Sequence, residues 1–149
     1  MIRIITLGVI LILFACVSKE ESKEIKSEID LLSESIKKDP SNIDLLHNRV
    51  IYNKSRGNLK YVLSDLKLCL QLDSLSHVIH FELAEVYFEI SKKGNADDRY
   101  PSLAKYHVER AIGLNKNSEI YELLLGKLLL AYAKYNDAIG CFNRSLRIK

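Results

Sequence analysis

Ile25, Ile29, Leu32 and Ile36 fall at spacings of four, three and four, with polar residues between them. That spacing puts the four side chains on one face of a helix. Comparable stripes recur along the chain. Leu46, Val50 and Tyr52 mark a second helix, and Leu59, Val62, Leu63, Leu66, Cys69 and Leu70 a third. Leu83, Ala84, Tyr87 and Phe88 turn inward on a fourth, and Leu124, Leu125, Gly126 and Leu129 on a later one. Turn residues separate the stripes. Asp39-Pro40-Ser41-Asn42 ends the first, because Pro cannot continue a helix and disfavours it one residue earlier. Lys37 and Lys38 occupy its last turn, where cations suit the helix C-terminus. Gly57-Asn58, Asp73–Ser76 and Asn115–Asn117 are the other breaks, and a helix restarts at Tyr100-Pro101-Ser102.

The stripes repeat. Val62, Ala104 and Ala138 occupy one slot, followed four residues later by Leu66, Val108 and Phe142, and three further on by Cys69, Ala111 and Ser145. Successive members are 42 and then 34 residues apart, whereas the upstream slot Val50, Ala84 and Gly126 steps by 34 and then 42. Both series therefore share a period of 34 and place eight extra residues inside the middle unit. Small residues at such slots let stacked helices approach closely. A helix–turn–helix period of 34 residues resembles the tetratricopeptide repeat (TPR).

The resemblance implies an all-α solenoid of helical hairpins, about three repeats plus an N-terminal half-repeat helix. Residues 24–149 form the TPR domain: a cap helix at 24–38, then repeats at 43–76, 77–118 with the insert, and 119–149. The insert lies in Ser91–Pro101. Val50, Val62, Cys69 and Asn53 make the first unit the least typical, and the third is the best match.

The N-terminus reads differently. Arg3 precedes an apolar run from Ile4 to Phe14, whose eleven residues reach only about 16 Å as a helix. That is half a bilayer core, the length of a signal-peptide core rather than of a spanning helix. The run ends in Leu13-Phe14-Ala15-Cys16, which resembles a bacterial lipobox. The resemblance implies removal of residues 1–15 and attachment of acyl chains such as palmitate to Cys16. Several chains together make a stable membrane anchor. Residues 16–23 are polar and aperiodic, as a tether is. Val17 stands where an Asp would hold such lipoproteins at the inner membrane, so the resemblance places the protein in the bacterial envelope, at the outer membrane.

Charge and chemistry narrow the function classes. Twenty-two basic and 19 acidic residues are interspersed for a net +3, so no basic stripe invites nucleic acid. Three Cys make no disulfide framework, and Cys69 and Cys141 sit where buried, inert thiols belong. The chain carries no phosphate loop, nucleophile elbow, HExxH or paired-Cys metal site, so no catalytic residue, no enzyme activity and no cofactor are expected. His77 and His80 share a helical face but lack further ligands, and a metal site is not expected there. Asp97-Asp98 reads as a solvated loop.

Binding is the remaining class. By the resemblance, first helices line a concave groove, which here presents His47, Ile51 and Lys54, then Phe81, Glu85, Phe88 and Glu89, then Leu123, Lys127 and Leu130. An apolar strip flanked by mixed charge suits a protein or peptide partner, whereas Ile51, Phe81 and Glu85 do not fit the Lys/Arg/Asn clamp that some relatives use for C-terminal carboxylates. The alternative is assembly. Ile139, Leu146 and Ile148 correspond to Leu63, Leu70 and Leu72, which should meet a following helix, and none follows Lys149. Either that edge mates with another chain, as a homo-oligomer or with a docked partner, or the sequence is truncated.

Overall fold

In a computed structural model, residues 27–93 and 99–148 are described. Ile25, Cys16 with its leader and tether, and Asp97-Asp98 lie outside them. Seven helices follow one another: α1 (Glu28–Lys38), α2 (Ile43–Ser55), α3 (Leu59–Leu72), α4 (His77–Lys92), α5 (Arg99–Leu114), α6 (Glu119–Ala131) and α7 (Tyr135–Arg147). There is no strand among the described residues.

Local chemistry sets where each helix starts and stops. The Ser27 amide and hydroxyl both donate to the Asp30 carboxylate, at 3.2 and 2.5 Å, which opens α1. The Asn42 side chain accepts from the Leu45 amide at 3.1 Å and the Ser76 hydroxyl from the Ile79 amide at 3.4 Å, capping α2 and α4. Pro101 stands in the first turn of α5, where a missing N–H costs no intrahelical bond. The turn after α2 is a paired cap: the Gly57 amide donates to the Lys54 carbonyl and the Asn58 amide to the Asn53 carbonyl. Gly57 takes φ +70° to make it. The turn after α6 repeats the geometry, with Ala133 and Lys134 donating to Leu130 and Leu129, but there Ala133 carries φ +56° and its Cβ strains the left-handed conformation.

The helices pair as hairpins α2/α3, α4/α5 and α6/α7, which stack through α3 on α4 and α5 on α6, with α1 packed on α2. The repeated slots form the interior. Val62, Ala104 and Ala138 are buried, as are Leu66 and Val108, and Cys69 and Ala111. Gly126 is small for a specific reason: a Cβ there would stand 2.7 Å from Cδ1 of the Phe142 ring on the partner helix.

One slot carries a hydrogen-bonding side chain in every hairpin. Asp65, His107 and Cys141 stand three residues after the small slot, and all are buried. The Arg49 guanidinium clasps Asp65 through Nε and Nη2 at 2.8 and 2.7 Å. His107 instead meets His80, Nδ1 to Nδ1, at 2.9 Å. His80 Nε2–H donates to the Ser74 carbonyl at 3.3 Å, so His80 Nδ1 must accept and His107 Nδ1–H must donate. In the third hairpin Arg144 donates from Nε to Glu122 at 2.9 Å and from Nη2 to Cys141 Sγ at 3.1 Å. Each hairpin thus closes on its own polar latch.

Candidate functional site

The first helices α2, α4 and α6 lie side by side, and side chains tie their facing surfaces together. His47 Nε2 donates to the Glu82 carboxylate at 2.9 and 3.1 Å, and Lys54 pairs with Glu85 at 2.9 Å. Between α4 and α6, the Phe81 and Tyr121 rings lie 4.7 Å apart, and the Tyr121 hydroxyl sits 2.7 Å from His77 Nδ1. Burial pushes the Tyr121 phenol above its ordinary value, so it stays protonated at neutral pH.

Where the C-terminal ends of α2 and α4 meet the middle of α6, a cavity of about 380 Å³ opens. Leu59, Val86 and Leu124 supply its apolar lining, and Lys54, Glu85, Glu89, Lys92 and Lys127 its charged rim. Lys92 holds Glu89 at 2.5 Å and sets its ammonium 5.0 Å from the Phe88 ring centre, a cation–π contact.

Five residues expected in the groove, Lys54, Glu85, Phe88, Glu89 and Lys127, therefore line one cavity. Phe88 is only 8% exposed and belongs to the core cluster, so its ring is a wall of the cavity rather than a free contact. Phe81 is half-buried against Tyr121, and His47 is engaged by Glu82. Ile51 turns elsewhere, into a furrow of about 530 Å³ between α1 and α2 that also includes Leu31, Leu32 and Tyr52. Leu130 is exposed, and so are Leu123 and Ile120. Ile120 and Lys92 are groove residues that the sequence reading left out. The signal for Ile120 was its place three residues before Leu123 on the same face. Lys92 falls within Ser91–Pro101, the inter-helix segment expected to hold the insert, whereas the structure makes it the last residue of α4.

The histidines do not converge on a metal. His77 faces Tyr121 and His80 faces His107, and no cluster of three or more potential ligands exists among the described residues. Cys69 and Cys141 are free and buried, and burial raises both thiols, Cys69 to about 11. Such thiols are poor nucleophiles at neutral pH. On the outer surface of α7, Ile139 and Leu146 are exposed, Leu146 by 73%, while Ile148 is half-buried at the helix end. No described helix is long and apolar enough to cross a membrane.

No family model matches the sequence, and no curated protein matches it. Solved structures do. The chain is similar to a crystal structure of MamA, with 22% identity and a TM-score of 0.71 over 81% of this chain and 66% of that one. It is also similar to MamA from Desulfovibrio magneticus RS-1 (12% identity, TM-score 0.68, 80% and 63% covered). A third structure is PilF of Pseudomonas aeruginosa (18% identity, TM-score 0.65, 80% and 51% covered). This chain thus spans about two thirds or less of each of these structures. At these identities the likeness concerns the fold, which is an all-α solenoid of tetratricopeptide hairpins.

Proposed function

We propose that this protein is a binding scaffold that holds a protein or peptide partner in the groove across α2, α4 and α6. The observation that carries the reading is the solvent-open apolar surface of α6, with Leu123 and Leu130 exposed beside the charged rim of the 380 Å³ cavity. A folded chain gains nothing by leaving such side chains in water, and a partner that covers them gains the burial. In this reading the scaffold binds a partner and carries out no reaction of its own. It is held at the bacterial outer membrane by acyl chains on Cys16, a reading supported by the sequence Leu13-Phe14-Ala15-Cys16. Incorporation of labelled palmitate that disappears in Cys16→Ser tests the anchor; equal labelling of both removes it.

The groove is tested by photo-crosslinking in intact cells. A photoreactive amino acid at Leu130 should give a discrete adduct that one at Ser64, on the exposed side of α3, does not. Equal adducts at both positions would reject the groove.

A second reading rests on a separate observation, the exposed Ile139 and Leu146 on α7. In it, copies of the chain assemble through that face and no other ligand is needed. Light scattering decides it: an Ile139→Glu/Leu146→Glu variant should lose wild-type oligomers, and a wild type that is monomeric at high concentration ends the reading.

A further inference from the structure

The face of α6 toward the groove reads Ile120, Leu123, Lys127, Leu130, at spacings of three, four and three. All four are exposed, so the stripe is an apolar helical seam with one ammonium at its centre. From Ile120 to Leu130 it is about 15 Å long, roughly three helical turns. The neighbouring carboxylates are already engaged. Glu82 holds His47, Glu85 holds Lys54 and Glu89 holds Lys92. Lys127 has no such ion pair among the described residues.

Two physical demands follow for anything that covers this seam. Its aliphatic side chains must recur about every 5 Å to match the seam; a helix repeats that step along one face, whereas alternate residues of an extended strand stand about 6.7 Å apart and fall out of step. It must also meet the Lys127 ammonium, because burying a cation against apolar surface without a counter-charge is costly. In this structure Glu85 and Glu89 of α4 direct their carboxylates to Lys54 and Lys92, and neither pairs with Lys127.

We infer that the partner element is an amphipathic helix of about three turns with an aliphatic seam interrupted by one central Asp or Glu that pairs with Lys127. This rests on the groove reading above and narrows it to one class of occupant. The central ion pair sets register and orientation, much as a single polar residue does inside a coiled-coil seam.

The test uses a yeast-displayed library of 16-residue helices with a fixed leucine seam and one randomised central position. It is sorted on wild-type protein and on Lys127→Glu, whose fold is checked by circular dichroism. Wild type should enrich Asp and Glu at least tenfold over Lys and Arg at that position, and Lys127→Glu should reverse the preference. Binding of the enriched helices should fall at least tenfold on Leu123→Ser/Leu130→Ser. Helices that lose binding on that double variant yet show no charge preference would overturn the inference and leave the groove reading standing. Helices indifferent to both changes would overturn both. A protein that enriches no helix but forms dimers dissociated by Leu123→Ser/Leu130→Ser would overturn the inference by putting a second copy on the seam.

Discussion

Acid should weaken this fold through the His80–His107 latch before the carboxylates are protonated. Both imidazoles are buried between α4 and α5; their hydrogen bond requires His80 Nδ1 to stay unprotonated, and a second proton on His107, at Nε2, would place a charge in the core. Desolvation, then the neighbouring His80 and Lys67, pushes His107 down from 6.5 to about 4. Desolvation and Arg110 push His80 down as well, against the raising effect of its bond to Ser74. The sign is fixed by which state binds the proton first. In the unfolded chain His107 protonates as pH falls through 6.5, whereas in the folded chain it resists until about 4. Stability is therefore complete above about pH 6.5 and declines between there and pH 4. Each unit of depression corresponds to about 1.4 kcal/mol, so the loss is about 2 kcal/mol at pH 5 and about 3 kcal/mol at pH 4. Urea unfolding followed by circular dichroism at pH 7.5, 5 and 4 measures it. The comparison is His107→Gln, whose amide can still donate to His80 but does not titrate. The wild-type minus variant difference should shift by about 2 kcal/mol between pH 7.5 and pH 5. A difference that stays flat across that range would refute the reasoning.

Other changes test the packing argument. Gly126→Ala sets a methyl against the Phe142 ring and should cost about 1–3 kcal/mol in chemical denaturation. Ala133→Gly relieves the left-handed alanine and should raise stability by roughly 0.5 kcal/mol, seen as a small increase in Tm. Arg49→Met leaves the buried Asp65 without its bidentate partner and should cost about 3–5 kcal/mol. Cys69, with its thiol held near 11, should react with maleimide only on unfolding, so native labelling at pH 7.5 should be far slower than labelling in urea.

The helical solenoid was legible because its determinants are local and periodic. Val62, Ala104 and Ala138 reveal the close helix approach by their size alone, and Gly57 reveals a turn by its backbone freedom. The polar latches were not read, although Asp65, His107 and Cys141 recur with the same 42- and 34-residue steps as the small slots. Their chemistries differ, so the shared position does not look like a shared role until Arg49 and His80 are seen opposite the first two, and Arg144, on the same helix as Cys141, is seen joining it to Glu122. The groove was legible only in part, for the same reason. Helical periodicity says which residues share a face, but neighbouring helices decide whether that face is open. Phe88 and Phe81 are seven residues apart on α4, yet one is enclosed by the core and the other stays half-open beside Tyr121. Ile51 likewise depends on α1, whose packing on α2 gives that residue a furrow of its own.

The most direct test of the scaffold reading is the affinity of the crosslinked partner, purified, for two surface variants in solution. Isothermal titration against Leu123→Ser/Leu130→Ser should show binding at least tenfold weaker than wild type, with Ile139→Glu/Leu146→Glu indistinguishable from wild type. The reverse pattern, with full affinity for the groove variant and loss on the α7 variant, would contradict the account.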